Sequence, residues 1–301
     1  MPINANFPEC KICNQTEWDL VYSGPVRAGS FTVKTAPTEV RCCKGCGIWQ
    51  LSEDCAFDSE TYASEEYREA MGQGTEVEDF FKAHDEYQPY NIKGIAGLNY
   101  RGAVIADVGC GAGSFLDHVS GLAKKVLSIE PTPLYHASLK SRGYHVYPFT
   151  IDALKTEKNS VDFVTSFQVI EHVDDPVKFL DELSKLLVDD GRIVVATPNR
   201  EDILLKLIPD EFMPFYFRRA HRWYFDQKCL TACAEKAGLV VEEIKFIHTF
   251  DMSNTLSWLK DKVPKGNNRL NGILPEMDQL WTTFLQASGQ ADNIYMTLKK
   301  P

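Results

Sequence analysis

The stretch AVIADVGCGAGSF, at residues 103–115, decides the fold that we expect for this chain. A short apolar run ends in three closely spaced glycines, and helix-forming residues follow. Glycine adopts backbone angles closed to other residues and lets the main chain approach a ligand closely. A helix after such a loop offers free N–H groups and a positive dipole end, which suit an anionic group. The stretch therefore predicts a strand, a ligand-binding loop and a helix.

Outward from this stretch, apolar strands alternate with amphipathic helices. The pattern predicts further strands at 125–130, 144–147, 161–167, 192–199, 239–247 and 293–300. The segment 175–191 predicts an amphipathic helix that runs up to Gly191. Such alternation is typical of an α/β fold. We expect a Rossmann-like, mostly parallel seven-stranded sheet with helices on both faces.

Composition divides the chain into three parts. Residues 1–56 hold six of the nine cysteines and predict a small zinc-ribbon-like module. Residues 57–98 carry aromatic and acidic side chains at helical spacing and predict a helical connector. Residues 99–301 hold the α/β domain, with an insertion at 248–290 that contains two short amphipathic pieces.

Charge and composition exclude some classes of function. The 301 residues are 44% hydrophobic and carry a net charge of −10, which argues against a dominant nucleic-acid role. Arg218, Arg219 and Arg222 are the best candidates for a local basic patch. We find no apolar run suited to a secretory signal or a membrane span, and the odd cysteine count favours reduced thiols. We therefore expect a cytoplasmic protein.

Two C-x-x-C pairs lie close together near the N-terminus. The pairs are Cys10 with Cys13 and Cys43 with Cys46. Thiolates at this spacing converge on one structural zinc ion with tetrahedral geometry. Asn14 and Gly47 follow the second cysteine of each pair, where a left-handed residue suits the turn. Cys42 offers a less usual spacing, so we interpret it as a spare thiol.

Glu130 ends the second strand of the α/β pattern, 21 residues after Gly109. An acid at this place accepts hydrogen bonds from the two hydroxyls of a ribose. The glycine spacing is G-x-G-x-G and differs from the dinucleotide pattern G-x-G-x-x-G. NAD and S-adenosylmethionine both offer a ribose at this point, so Glu130 alone does not choose between them.

Four stretches in order resemble the class I S-adenosylmethionine-dependent methyltransferases: DVGCGAGSF at 107–115, VDFVTSFQVIEHVDDP at 161–176, GRIVVATPN at 191–199 and HRWYFDQKCLTACAEKAGLVVEEI at 221–244. The resemblance covers residues 100–247 and the tail, and it implies S-adenosylmethionine as the cofactor. It assigns the methionine part of the cofactor to Asp107, Gly109, Gly111 and Gly113, and the ribose to Glu130. It assigns the adenine to the segment that contains Asp152, and the sulfonium side to Phe167 and Gln168.

The loop after the fourth strand of the pattern carries Gln168, Glu171 and His172. It is similar to the Glu-x-x-Glu-His stretch of the ubiquinone-pathway O-methyltransferases, which is linked to a divalent metal in that family. A neutral amide is a weaker ligand for a hard cation than a carboxylate, so we do not expect a catalytic metal. His172 is a candidate general base, or it merely fixes the loop. His221 is a second candidate, in an aromatic segment that either walls an acceptor pocket or packs as a helix.

The cysteine-rich leader resembles the zinc-ribbon leader of some bacterial small-molecule and sugar methyltransferases. The resemblances together imply methyl transfer to a small-molecule acceptor, a hydroxyl of a sugar, a nucleotide-sugar or a polysaccharide precursor. Two alternatives stay open at this point. One is an RNA methyltransferase whose zinc ribbon recognises the substrate, and the other is a non-catalytic scaffold that binds the cofactor.

Overall fold

The computed structural model of the chain describes residues 7–29, 33–57, 76–266 and 269–301. Most of the first half of the predicted connector, residues 58–75, lies outside the described residues. The strands are β1 (Trp18–Arg27), β2 (Lys34–Cys43), β3 (Trp49–Leu51), β4 (Val104–Val108), β5 (Lys125–Ile129), β6 (His145–Tyr147), β7 (Val161–Phe167), β8 (Leu187–Pro198), β9 (Trp223–Tyr224), β10 (Val240–Ile247) and β11 (Asn293–Lys299).

The helices lie mostly between these strands. They are α1 (Val77–His84), α2 (Gln88–Gly94), α3 (Ser114–Val119), α4 (His136–Ser141), α5 (Thr150–Glu157), α6 (Pro176–Leu186), α7 (Ile203–Leu207), α8 (Pro209–Tyr216), α9 (Gln227–Lys236), α10 (Met252–Asp261) and α11 (Pro275–Ala287). The last two are the two pieces predicted within the insertion. None of the helices in the described ranges is long and apolar enough to cross a bilayer.

The larger sheet has seven strands in the order β10-β11-β8-β7-β4-β5-β6. The five strands from β8 to β6 run parallel, whereas β11 pairs antiparallel with both β8 and β10. Ala106, Val164 and Val195 in its central strands have no exposed surface, as expected for a sheet covered on both faces. The predicted Rossmann-like sheet is confirmed. Its strand order reverses beside β4, where ligands bind in folds of this type.

The predicted helix at 175–191 is wrong at its C-terminal end. Helix α6 stops at Leu186, and Leu187 already belongs to β8, where it pairs with Val161. Gly191 lies inside the strand, not after the helix. A Cβ at Gly191 would lie 3.1 Å from the carbonyl oxygens of Val161 and Asp162, so glycine allows the two strands to approach at an irregularity in their register.

The smaller sheet joins the cysteine-rich module to the α/β domain. Its order is β1-β2-β3-β9, and β9 comes from the chain after the fifth parallel strand. Trp49 pairs with Tyr224, and Gln50 pairs with Trp223. Cys10 and Cys43 belong to the same buried cluster as residues of α9. The module therefore shares both a sheet and a hydrophobic core with the domain.

Candidate active site

The glycine loop lies between β4 and α3, at the carboxyl end of the parallel strands. Gly109, Gly111 and Gly113 all have positive φ angles, of 78°, 55° and 87°. Such angles strain any residue with a Cβ, so the sequence pattern follows from the path of the chain. The predicted strand, loop and helix are confirmed, and ligand binding by the loop stays a prediction.

Glu130 lies directly after β5 and is buried beside this loop. One carboxylate oxygen accepts a hydrogen bond from the N–H of Gly111 at 2.9 Å, and the other accepts from the N–H of Thr132 at 2.9 Å. Each carboxylate oxygen has a further lone pair, so Glu130 can brace the loop and still accept from ribose hydroxyls. The chemistry of these groups fits the ribose of S-adenosylmethionine.

Asp107 is the last residue but one of β4, two residues before Gly109. Its carboxylate accepts a hydrogen bond from the hydroxyl of Thr165 at 2.7 Å, which ties β4 to β7. Burial raises the pKa of Asp107 to about 7. The structure therefore shows Asp107 as a buried support of the loop, and its contact with the methionine part stays a prediction.

Helix α1 of the connector covers the glycine loop, and the sequence pattern did not predict this contact. The ring of Phe80 on α1 lies where a Cβ of Gly111 would be, and it stacks on His84 with the centroids 3.9 Å apart. Beside it, the hydroxyl of Ser114 donates to Asp85 at 2.5 Å. The aromatic spacing of this segment was a signal for a helix, but nothing in the pattern indicated which surface that helix covers.

The predicted adenine segment begins α5. Asp152 lies in the first turn of this helix and pairs with Lys155 at 2.7 Å. Two neighbouring apolar side chains are exposed at this edge, Phe149 by 50% and Ile151 by 57%. Exposed apolar groups suit an aromatic base better than an ion-paired carboxylate does. The role of Asp152 stays a prediction.

Phe167 and Gln168, which the resemblance assigns to the sulfonium side, lie at the end of β7 and directly after it. The ring of Phe167 packs edge-on against Phe115 with centroids 4.9 Å apart. Gln168 has a positive φ of 57°, and its amide donates to Asn293 at 2.9 Å. This left-handed turn brings the next residue, Val169, against Gly109. The loop 168–172 therefore lies directly beside the glycine loop.

The structure brings together the two histidines that the sequence singled out. The rings of His172 and His221 meet edge-on with centroids 4.9 Å apart. His172 Nε2 lies 3.8 Å from Glu171 Oε1, and ligand atoms of all three residues lie within 4.8 Å of one another. The side-chain amide of Gln168 instead donates to Asn293 at 2.9 Å.

Hydrogen bonds fix the tautomer of His172. Its Nδ1 lies 2.6 Å from the carbonyl oxygen of Ala220, which can only accept, so Nδ1 carries the proton. Nε2 is then the unprotonated ring nitrogen, 3.8 Å from Glu171 Oε1. Burial lowers the pKa of His172 to about 4 and that of His221 well below its usual range, and it raises the pKa of Glu171 to about 8. Burial therefore favours the uncharged form of all three side chains.

A single stretch, residues 217–225, holds this cluster in place; we call it the docking segment. The N–H groups of Arg222 and Trp223 both donate to the carbonyl oxygen of Glu171, at 2.8 and 3.1 Å. The indole of Trp223 donates to the carbonyl of Val173 at 2.7 Å. Since β9 of this segment also pairs with β3, the docking segment connects the histidine cluster to the cysteine-rich module.

The aromatic side chains around the docking segment are mostly core. Phe217, Trp223, Tyr224 and Phe225 are almost fully buried, and Phe212 on α8 packs against Trp258 with centroids 5.0 Å apart. Packing accounts for these rings, but not as one helix: α8 ends at Tyr216, and Trp223 and Tyr224 form β9. That this segment walls an acceptor pocket stays a prediction.

The four sulfur atoms of the C-x-x-C pairs converge. Sulfurs of opposite pairs approach to 3.4 Å (Cys13 and Cys43) and 3.6 Å (Cys10 and Cys46). A tetrahedral zinc with bonds of ~2.3 Å places its sulfurs ~3.8 Å apart, so the donor set fits this ion. A Cβ at Gly45 would lie 2.7 Å from the Cys13 sulfur, so glycine leaves the space that this sulfur occupies.

The turns around these sulfurs match the expectation. Asn14 and Gly47 have φ angles of 60° and 82°, so both left-handed positions are confirmed. Cys42 lies outside the sulfur cluster, with its thiol 3.5 Å from the carbonyl of Gly47. Cys229 and Cys233, which lie four residues apart on α9, are fully buried in the core and take no part in the sulfur cluster.

Comparisons with known proteins agree with this architecture. A family model described as a methyltransferase domain matches residues 85–244, more than half of the chain. A ubiquinone biosynthesis O-methyltransferase of Rhodopseudomonas palustris is 29% identical over 165 residues, which are 52% of this chain and 63% of that protein. A Mycobacterium tuberculosis protein named as a probable S-adenosylmethionine-dependent methyltransferase is 32% identical over 98 residues, 32% of this chain and 36% of its own length.

Similarity of fold extends to solved structures. A chain from the complex of the Haloferax volcanii Trm112 methyltransferase activator with a methyltransferase superposes with a TM-score of 0.51. It is 13% identical, and the alignment covers 75% of this chain and 93% of that one. The chain spans 36% of the length of the Mycobacterium tuberculosis relative and 63% of the length of the Rhodopseudomonas palustris relative. Together, the matched residues and the glycine loop show that this chain belongs to the methyltransferase domain family.

Proposed function

We propose that this chain transfers a methyl group from S-adenosylmethionine to a hydroxyl of a small acceptor, a sugar or a polysaccharide precursor. The observation that carries the proposal is the juxtaposition of the two loops: Val169, three residues before His172, packs against Gly109 of the glycine loop. A cofactor in the glycine loop would therefore lie beside a loop that carries a candidate base.

The cofactor would be held by backbone and carboxylate groups at the carboxyl end of the sheet. Glu130 would accept from the ribose hydroxyls, and Gly109, Gly111 and Gly113 would let the main chain approach the methionine part. Exposed Phe149 would cover the adenine. When bound, S-adenosylmethionine supplies an electrophilic methyl group on a sulfonium.

His172 would act as the general base. A hydroxyl oxygen is a poor nucleophile until its proton is removed in or near the transition state. The Nδ1 proton of His172 is donated to the carbonyl oxygen of Ala220. The lone pair of Nε2 would therefore accept the proton of the acceptor hydroxyl. Nε2 of His172 would take up the hydroxyl proton as the oxygen is methylated, with S-adenosylhomocysteine as the other product. His221 would border the acceptor hydroxyl from the other side.

We further propose one structural zinc, held by Cys10, Cys13, Cys43 and Cys46. Support comes from the convergence of four sulfurs at distances close to those around a tetrahedral zinc. A hydrogen bond from the Cys46 thiol lowers the pKa of Cys10 to about 5, whereas burial raises the pKa of Cys43 to about 11. A bound zinc ion would hold all four groups as thiolates and offset their mutual repulsion.

The acceptor is proposed to be a small molecule and not RNA. The net charge of −10 disfavours a polyanionic partner, and two of the three arginines of the docking segment are engaged in other contacts. Arg222 is buried in ion pairs, and Arg219 stacks on Phe57.

An assay with methyl-labelled S-adenosylmethionine tests the function. Wild-type protein is incubated with a panel of sugars, sugar phosphates, nucleotide-sugars and transfer RNA, and label transfer and S-adenosylhomocysteine are measured. We expect transfer to at least one small hydroxyl compound and none to RNA. Binding of cofactor without any transfer would favour a scaffold, and transfer to RNA alone would contradict the proposed acceptor class.

A further inference from the structure

The arginines of the docking segment differ in their partners. Arg222 is buried, pairs with Glu53 and lies 2.9 Å from Asp174. Arg218 is half-buried, yet within the described ranges its guanidinium makes no hydrogen bond and no ion pair. Arginine is rarely removed from water without a partner, because the loss of hydration is costly. Arg218 therefore differs from Arg222, whose ion pairs stabilise the fold.

The main chain at Arg218 is rigidly held. Its N–H donates to the hydroxyl oxygen of Tyr224 at 2.9 Å, and that hydroxyl lies 3.2 Å from the carbonyl oxygen of Arg218. Both neighbours bond to Arg27 of β1: its N–H donates to Phe217, and its carbonyl accepts from Arg219 at 2.8 Å. A rigid backbone orders the base of a side chain before a ligand arrives, which lowers the entropy cost of binding.

The main chain of Arg218 adjoins the histidine cluster, and the charge of its guanidinium acts on His221. The N–H of His221 donates to the carbonyl oxygen of Arg218 at 3.0 Å, and the positive charge of Arg218 contributes to the lowered pKa of His221. Burial lowers the pKa of Arg218 itself to about 10, and among the described residues only Tyr224 acts to raise it. The ring nitrogens of His221 likewise make no hydrogen bond within the part of the chain that the structure describes.

We propose that Arg218 binds an oxyanion of the methyl acceptor, a phosphate or a carboxylate, and thereby presents a neighbouring hydroxyl to His172 and His221. The inference rests on the proposed function and narrows the acceptor from a hydroxyl compound to an anionic one. A guanidinium presents its N–H donors in a planar fork that matches either oxyanion. The acceptor thus supplies the negative charge that the described surroundings of Arg218 lack.

The test uses two small anions and the ring signals of the histidines. Full-length, zinc-loaded protein is titrated with inorganic pyrophosphate and, separately, with malonate, and the NMR signal of the His221 ring is followed after assignment with His221→Ala. We expect a saturable shift in the wild type. Arg218→Met should weaken binding by about 10- to 100-fold, as expected for the loss of a charged hydrogen-bond donor. The anion that binds tighter identifies the acceptor as a phosphate or a carboxylate.

Arg219→Met is the matched control, since it removes an exposed arginine one residue away. It should leave the titration unchanged, and Arg218→Lys should recover part of the affinity. Equal binding by Arg218→Met and Arg219→Met, or no saturable shift in the wild type, would overturn the proposal.

Thermal unfolding separates this role from a structural one. Arg218→Met should unfold at the wild-type temperature or above it, because an unpaired, desolvated charge is removed. Arg222→Met should unfold at a lower temperature, because it breaks two ion pairs. A comparable fall for Arg218→Met would assign Arg218 to the fold and contradict the inference. Calorimetry with S-adenosylmethionine on the same proteins reports on the proposed function alone: normal cofactor binding without anion binding would overturn only the anion site.

Discussion

The cofactor side and the acceptor side of the candidate site are built in different ways. On the cofactor side, one continuous strand, loop and helix carries the three glycines, and the end of the next strand adds Glu130. On the acceptor side, Glu171 and His172 depend on the docking segment, which in turn pairs with β3 of the cysteine-rich module. The first is local in sequence, whereas the second is assembled from three distant parts of the chain.

This difference implies different sensitivities. A local site depends on its own backbone, so a change in the cysteine-rich module should leave cofactor binding intact. An assembled site fails when any of its supports is lost, because each part is held by hydrogen bonds from another. We therefore expect zinc and the docking segment to control the acceptor side alone.

Loss of zinc should have the largest effect. Cys43→Ser removes one of four ligands, and we expect zinc to fall from one ion per chain toward none. Structural zinc sites bind with apparent free energies of ~10–16 kcal/mol, so the module and the attached β9 should lose order. Metal analysis and thermal unfolding measure both effects, and S-adenosylhomocysteine affinity should stay close to that of the wild type.

Cys42→Ser is the matched control, since Cys42 adjoins Cys43 but lies outside the sulfur cluster. It should retain zinc and the wild-type unfolding temperature. Equal zinc content in both variants would refute the four-cysteine site. Loss of cofactor affinity together with zinc would refute the independence of the two sides.

Removal of the proposed base should have the next largest effect. His172→Ala should lower kcat by ~10²–10⁴-fold, the usual contribution of a positioned base, and should leave cofactor affinity nearly unchanged. Steady-state kinetics and calorimetry measure the two quantities. His118→Ala on α3, an exposed histidine, is the control and should retain activity. If His221→Ala gives the loss instead, the roles of the two histidines are reversed.

The pH profile gives an independent readout of the same base. Sequence alone predicts an acid limb near pH 6.5, but burial lowers the pKa of His172 to about 4. A lowered pKa means that the neutral, proton-accepting form persists to lower pH. The wild-type rate should therefore stay level from neutrality to about pH 5 and fall toward pH 4. A limb at pH 6.5 would contradict a buried His172 as the base.

The same contrast explains what the sequence could predict. Gly109, Gly111 and Glu130 lie at fixed distances along one pattern, so their proximity follows from the fold. The end of α6 was missed because Leu187 continues the helical stripe while its main chain is already extended. Phe80 and His221 could not be placed, since each reaches its site through tertiary packing that leaves no periodic signal. Arg218 was noted only as a charge, because its lack of a partner becomes visible only in three dimensions.

Calorimetric titration tests most directly the central claim that the glycine loop and Glu130 bind S-adenosylmethionine. Wild type, Glu130→Ala and the exposed control Glu235→Ala are titrated with S-adenosylhomocysteine and with NAD. We predict one binding site for S-adenosylhomocysteine, none for NAD, and affinity ~10- to 100-fold weaker in Glu130→Ala, from a loss of ~1–3 kcal/mol in hydrogen bonds. The control should match the wild type. Unchanged affinity in Glu130→Ala, or a preference for NAD, would contradict the account.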